Sequence, residues 1–544
     1  MSGTVDRHRR RRAGRAAALV ALGAAAAMTA AACGSGGPDS RTGGGAAEYA
    51  DLSTQVVGEQ SEPGEPVSGG EISYVTYNGV GTLDPADGQD GGATGGSEMA
   101  AIYDVLMRYD LESKEYVPQL AQGLSSTDDD TVWTMELRPD AMFSDGTAVD
   151  ADAVVASIDR YVQRSGTHAQ VWTASVAETE AVDDQTVRFT LERSWNEFPN
   201  LLTTGPGMIV APTADAGGEF TPIGAGPFVV ESFAPQEELV LTGRSDYWNG
   251  SPHLDRLVFP AMVNEHAKLD TLRTGGVDVA YLRYPDTVRE ALDDGLPGLV
   301  YSASMGGIGI INNRDGHPGE DLRVRQAIVA ATDPEYFVER FAEGLGLPGA
   351  EMFQDWSRWH GDVAADGYDP DRARELLEEA KADGYDGRLT FVGLGDVQND
   401  ALAFQTMLDA VGFDVEIDYV PTINALIDAL YVKHDYDLAY SGFNVLDESP
   451  FTRLYGNLHS ESTANVLGYE DPQMDDLLVR LQTASDSGER QEVIDEIQQV
   501  VDETAPMAVV DAGRYFIPWA QDVHGVVPSS DGILLFGEAW KSGR

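Results

Sequence analysis

From Gly70 onward, strand-like and helix-like patterns follow one another irregularly with no internal repeat, and that mixture restricts the fold more than anything else in the chain. In GEISYVTYNG, Ile72, Tyr74 and Thr76 alternate with Ser73, Val75 and Tyr77 before a glycine turn, as a strand does. EMAAIYDVLMRYD reads as a helix, TVWTMELRPDAMF as a strand and VDADAVVASIDRYVQR as a helix; QTVRFTLER and LVLTGR read as strands. DPDRARELLEEAKADGY is a helix with Asp369 as N-cap, Pro370 in its first position and Gly384 near its stop. RLTFVGLG and GFDVEIDYVP flank another helix, and DDLLVRLQTASDSGERQEVIDEIQQVVDETAP is a helical pair. The mixture is α/β, and 544 residues imply two lobes with an extra subdomain.

The chain has one cysteine, Cys33, so no disulfide framework holds this fold and its stability must come from core burial. Ahead of it, six arginines within the first fifteen residues precede a mostly alanine run from Ala16 to Ala32, the form of a signal peptide over residues 1–32. No second hydrophobic run follows that could span a membrane. The segment Ala30, Ala31, Ala32, Cys33 resembles a lipobox, with Ala30 where leucine is commonest, and the resemblance implies lipidation of Cys33. Residues 33–69, rich in Gly, Ser, Pro and acid, read as a flexible tether. With 36 basic against 90 acidic residues the formal charge is −54, which argues against nucleic acid as a partner.

Signatures of catalysis are missing. The nine histidines are scattered, so no helical metal pair arises. There is no G-x-S-x-G elbow and no G-x-x-x-x-G-K-[ST] loop. The neighbouring acids Asp447 and Glu448 read as solvated surface in so acidic a chain. DYWNG and the arginines of DLRVRQAI, Arg323 and Arg325, read as local packing and capping, and GAGPF as a tight backbone crossing between lobes.

Ordered motifs run through the body: TLDP (82–85), AIYDVLMRYD (101–110), YVPQLAQGL (116–124), TMELRPDAMFSDGTAVDADAVVASIDR (134–160), PIGAGPFVVESF (222–233), DYWNGSPHLDRLVF (246–259), LRTGGVDVAYL (272–282), DLRVRQAIVAATD (321–333) and YDPDRARELLEEA (368–380). Together, from about residue 70 to the end, they resemble the extracytoplasmic solute-binding proteins of family 5, the dipeptide, oligopeptide and nickel receptors of ABC importers. The resemblance implies a two-lobed periplasmic-binding-protein-like fold of type II, with an α/β subdomain inserted in lobe I. Lobe I is expected over 70–98, 222–312 and 510–544, the insertion over 99–221, and lobe II over 313–509.

The same resemblance implies a small solute, a short peptide or peptide-like compound, held between the lobes by hinge closure and passed to ABC permease subunits with their ATPases. A sugar, amine or metal chelate as ligand, or a sensor role, stays open beside that reading, and an extracytoplasmic hydrolase is the reading from another class. No cofactor is implied, and the protein is expected to be a monomer, exported and fixed by its lipid to the outer face of the cytoplasmic membrane. Carried over onto YDLAYSGFNVLDESPF (436–451), Gly442 and Phe443 fall on the family's Gly-Trp pair, whose backbone can bond an extended ligand, with Asn444 next to it. The family's aspartate for a peptide amino group falls on Leu446, or on Asp447 with a one-residue shift. VDVAYLRYP places Tyr281 and Arg283 at the first wall of the cleft, and YNGVGTLDP adds Tyr77 and Asn78. FQDWSRWH offers Trp356 and Trp359 as ligand-stacking or core residues.

Overall fold

Two long strands, Gly298–Ile311 and Met507–Pro518, run antiparallel through the centre of the molecule and belong to both halves of it. The structure is a computed structural model describing residues 53–395 and 398–542; the expected signal peptide, Cys33 and the tether as far as residue 52 lie outside the described residues. At one end these strands extend a sheet that continues through Leu438–Ser441 to the parallel strands Arg388–Leu394 and Asp414–Val420. Helices Leu322–Ala331, Pro334–Ala342, Pro370–Ala382 and Asn399–Val411 cover it around Phe337, Phe391 and Phe404, forming lobe II. At the other end Phe516 bonds Leu282, next to a five-stranded sheet in the order Val279–Ala280, Glu71–Val75, Arg256–Pro260, Glu238–Gly243, Phe228–Ala234. This is lobe I, and the expected boundary at 509/510 falls inside the strand Met507–Pro518.

The pairing of the long strands shifts between Ala303 and Gly307, where Met305 takes a left-handed φ of 51°. Such a bulge bends both strands at the point where the lobes meet. A Cβ on Gly306 would lie 2.0 Å from the Gly513 nitrogen, so only glycine allows the two backbones this close.

The insertion carries the antiparallel sheet Ala121–Ser126, Val132–Leu137, Thr186–Leu191, Val176–Asp183, backed by helix Ala151–Gln163, whose N-cap Asp150 takes the Ala153 N–H. Its core runs on into the helices of lobe II: Trp195 meets Phe451 edge-on at 5.2 Å, and Gln482 of helix Pro472–Thr483 donates to Ser175. GAGPF crosses the C-terminal end of helix Gly96–Tyr103, where a Cβ on Gly226 would meet the Ala101 carbonyl at 2.5 Å.

Two sequence expectations are corrected. EMAAIYDVLMRYD is a helix only to Tyr103 and then a strand, Met107–Asp110, because Asp104 at φ 58° ends the helix and is held by Tyr247 and Trp248. The tether is not free as far as Gly69: Gln55–Val57 pairs with Gly298–Val300, and Ser61 donates to the Gln521 carbonyl. The alternation that marks a half-buried strand is missing there because the strand is only three residues long and mostly exposed.

Candidate functional site

A cavity of about 470 Å3 lies where the long strands pass between the lobes. Its first wall is built by strand Val279–Ala280, which pairs with Tyr74 and Val75 and so delivers Tyr281 and Arg283 beside Tyr77. Glu265 accepts hydrogen bonds from the backbone N–H of Arg283 (2.9 Å) and Tyr284 (3.1 Å) and from the Thr287 hydroxyl, which holds that loop in place. The Arg283 guanidinium sits 4.8 Å from the centre of the Tyr77 ring. Its electrostatic neighbours are Tyr77, Tyr515, Tyr281 and Tyr440, and no carboxylate stands within 4 Å of it among the described residues. Lys268, buried beneath, donates to the Tyr77 carbonyl at 3.1 Å, and burial pulls its ammonium down to about 8.

The second wall comes from lobe II. Tyr440 and Ser441 end strand Leu438–Ser441, and Gly442 follows at a close backbone crossing, where a Cβ would lie 2.2 Å from the Gly306 carbonyl oxygen. Asn444 adopts a left-handed φ of 52°, which asparagine tolerates better than most residues. It accepts the Tyr515 hydroxyl at 2.5 Å, and Tyr515 stacks on Tyr281 at 5.9 Å, so one ring links both walls. Asp400, in the first turn of helix Asn399–Val411, lines the cavity; burial pushes its carboxyl up to about 6, opposed by the Ala401 N–H. It makes no ion pair among the described residues.

The floor holds an ion pair, Arg453 to Asp531 at 3.2 Å, in which Tyr301 also donates to Asp531 at 3.3 Å. Burial raises the Asp531 carboxyl against the pull of Arg453 and His168.

Of the residues singled out in the sequence, Tyr77, Tyr281, Arg283, Gly442 and Asn444 line this one cavity. The other expected residues stand elsewhere. Asn78 donates its backbone N–H to Thr94 and is outside the lining. The Phe443 ring is buried in the core, and its N–H is already bonded to the Met305 carbonyl, so it has none to offer a strand-like ligand. Trp356 packs against the cluster of Val300 and Phe516. Trp359 is 4% exposed, donates to the Asp447 carbonyl at 2.8 Å and faces a second cavity.

Asp447 does not line the first cavity: its carboxylate accepts the Ser357 hydroxyl (2.6 Å) and the Arg358 N–H (3.1 Å), locking one loop of lobe II to another. Leu446 is buried in the core of lobe I, so neither register supplies a cavity aspartate. Nor is the pair Asp447 and Glu448 solvated surface, since Glu448 accepts from Ser530 and from the Asp531 N–H, and burial raises both carboxyls. Tyr301, Asp400, Tyr440, Arg453, Tyr515 and Asp531 were not foreseen; they come from strands and helices far apart in sequence, and no local pattern marks them. Among the described residues no three His, Cys, Asp or Glu side chains converge to hold a metal.

Residues 115–465 match the family model for bacterial extracellular solute-binding proteins, family 5 Middle. The glutathione-binding protein GsiB of Salmonella paratyphi A is 29% identical over 319 residues, 55% of this chain, and the chain spans only 59% of that protein's length. The probable D,D-dipeptide-binding periplasmic protein DdpA of Escherichia coli is 25% identical over 470 residues, 82% of this chain and 89% of that one. Among solved structures, the ABC transporter-associated periplasmic binding protein DppA of Helicobacter pylori, in complex with the peptide STSA, superposes with a TM-score of 0.75 at 21% identity, covering 88% of this chain and 99% of that one. That likeness establishes the two-lobed fold. With most of its body matched by one family model and its cleft formed between two lobes, the chain belongs to the bacterial extracellular solute-binding proteins of family 5.

Proposed function

We propose that this protein captures a short peptide, or a peptide-like zwitterion, by closing lobes I and II on it, and presents it to the permease subunits of an ABC importer. One observation carries the choice of ligand: the cavity offers an arginine without a carboxylate partner, Arg283 on lobe I, and a buried acid without a cationic partner, Asp400 on lobe II. A ligand with a carboxylate for the first and an ammonium for the second touches both walls, so it binds the closed arrangement better than the open one, and only that difference shifts the population. A preference of about 5.5 kcal/mol would take closure from 1:99 to 99:1. The tyrosines that line the space give apolar bulk without fixing a side chain, and the volume lies within the usual range for small-ligand sites.

The relatives that bind glutathione, a D,D-dipeptide and the peptide STSA support this class of ligand. Acylation of Cys33 would tether the body to the outer face of the cytoplasmic membrane, with the strand Gln55–Val57 already part of that body. The test is mass spectrometry of small molecules that co-purify, followed by calorimetric titration with di- to pentapeptides. Binding of at least one free peptide and loss of it on N-acetylation are expected; failure of every peptide, with a sugar or an uncharged amide binding instead, would redirect the assignment.

A further inference from the structure

A second cavity, of about 520 Å3, lies on the far side of Glu448 and Asp531, at the seam between the insertion and lobe II. The hairpin Met107–Asp110, Glu115–Pro118 gives it Lys114 and Tyr116; lobe II gives it Arg358, Trp359 and Arg490. In a chain with 36 basic residues against 90 acidic ones, this lining carries three cations to two acids, Glu197 and Glu448, and so reverses the overall balance locally. Only Arg490 is paired, with Glu197 at 3.3 Å, and its Nε is buried with no partner. Arg358 uses its guanidinium on the Asp447 carbonyl and lies 4.9 Å over the Trp359 ring; neither that guanidinium nor the Lys114 ammonium has a carboxylate within 4 Å among the described residues. Trp359, which borders the cavity, is thereby held in place, with the Arg490 guanidinium 5.6 Å from its ring centre.

We propose that this cavity is a separate site for a small carboxylate-bearing molecule, with the anionic group between Arg358 and Lys114 and the body of the molecule against Trp359. Arg358 and Lys114 are both exposed, and an arginine and a lysine standing together bind a carboxylate with charge-assisted hydrogen bonds. Because its walls belong to the insertion and to lobe II, an occupant stabilises the arrangement in which those two meet. The site is independent of the ligand assigned to the first cavity.

The experiment is calorimetric titration of the folded chain with succinate at low salt, with succinamide as the uncharged control. Succinate binding that is absent for succinamide, and that weakens about threefold to fivefold in Lys114→Gln and in Arg358→Gln, is expected. Lys114 is exposed, so its variant reports binding rather than folding. No succinate binding at millimolar concentration, equal binding in both variants, or loss in Arg283→Gln in their place overturns the proposal, the last by assigning the anion to the first cavity.

Discussion

The two cavities are of similar volume, yet their charges are arranged in opposite ways. In the first, Arg283 and Asp400, neither with an ion-pair partner among the described residues, sit on different lobes, with tyrosines between them. In the second, cations crowd around a tryptophan and the acids are occupied, Glu197 by Arg490 and Glu448 by Ser530 and Asp531. The difference teaches that a cleft selecting a zwitterion needs separated charges that only a ligand can join, whereas converging like charges select an ion of opposite sign. It also explains why Asp447, the acid expected to meet a ligand, is spent on Ser357 and Arg358.

The comparison is broken most severely at the crossing beneath the first cavity. Gly442→Val places a Cβ 2.2 Å from the Gly306 carbonyl, backbone that cannot move aside, and should lower the melting temperature by several degrees and abolish peptide binding while far-ultraviolet circular dichroism stays α/β. Next comes Arg283→Gln, expected to weaken a peptide by about a hundredfold in calorimetry, as loss of a desolvated charge partner does; a change under threefold would mean that the ligand carboxylate lies elsewhere.

The third test concerns Asp400. Its carboxyl titrates near 6 because it is buried, and an ammonium ligand needs the ionised form. Affinity is therefore full above about pH 7 and falls as the pH drops through 6, by up to roughly tenfold per unit. Asp400→Asn should weaken binding about tenfold at pH 7.5 and flatten that profile; a variant with the wild-type profile rules Asp400 out. Smallest is Asp447→Asn: affinity for the peptide should change less than threefold, while the melting temperature falls a few degrees as the hydrogen bonds to Ser357 and Arg358 weaken. A tenfold loss of affinity at unchanged stability would return Asp447 to the ligand.

Legibility in the sequence followed locality. Asp369 caps the helix expected of it, and Arg323 pairs with Asp321, because a cap or a local ion pair needs only neighbours within a few residues. The helix through EMAAIYDVLMRYD was read too long because its apolar positions continue past Tyr103; Asp104 stops it through bonds to Tyr247 and Trp248, more than a hundred residues away. Of the cleft, Tyr77, Tyr281, Arg283, Gly442 and Asn444 were reached through motifs, whereas Asp400, Arg453 and Asp531 carry no local sign of their role.

By itself the sequence determined the α/β class, the dependence on core burial in a chain with a single cysteine, the acidic surface and the order of elements, since these depend on composition and on patterns a few residues long. Only the tertiary structure decided which charges are satisfied and which are left to a ligand. An aspartate is a binding group or a loop clamp according to what stands within hydrogen-bond reach of it, and the partners of Asp447 and Asp531, Ser357 and Arg453, are brought there by the fold from 90 and 78 residues away.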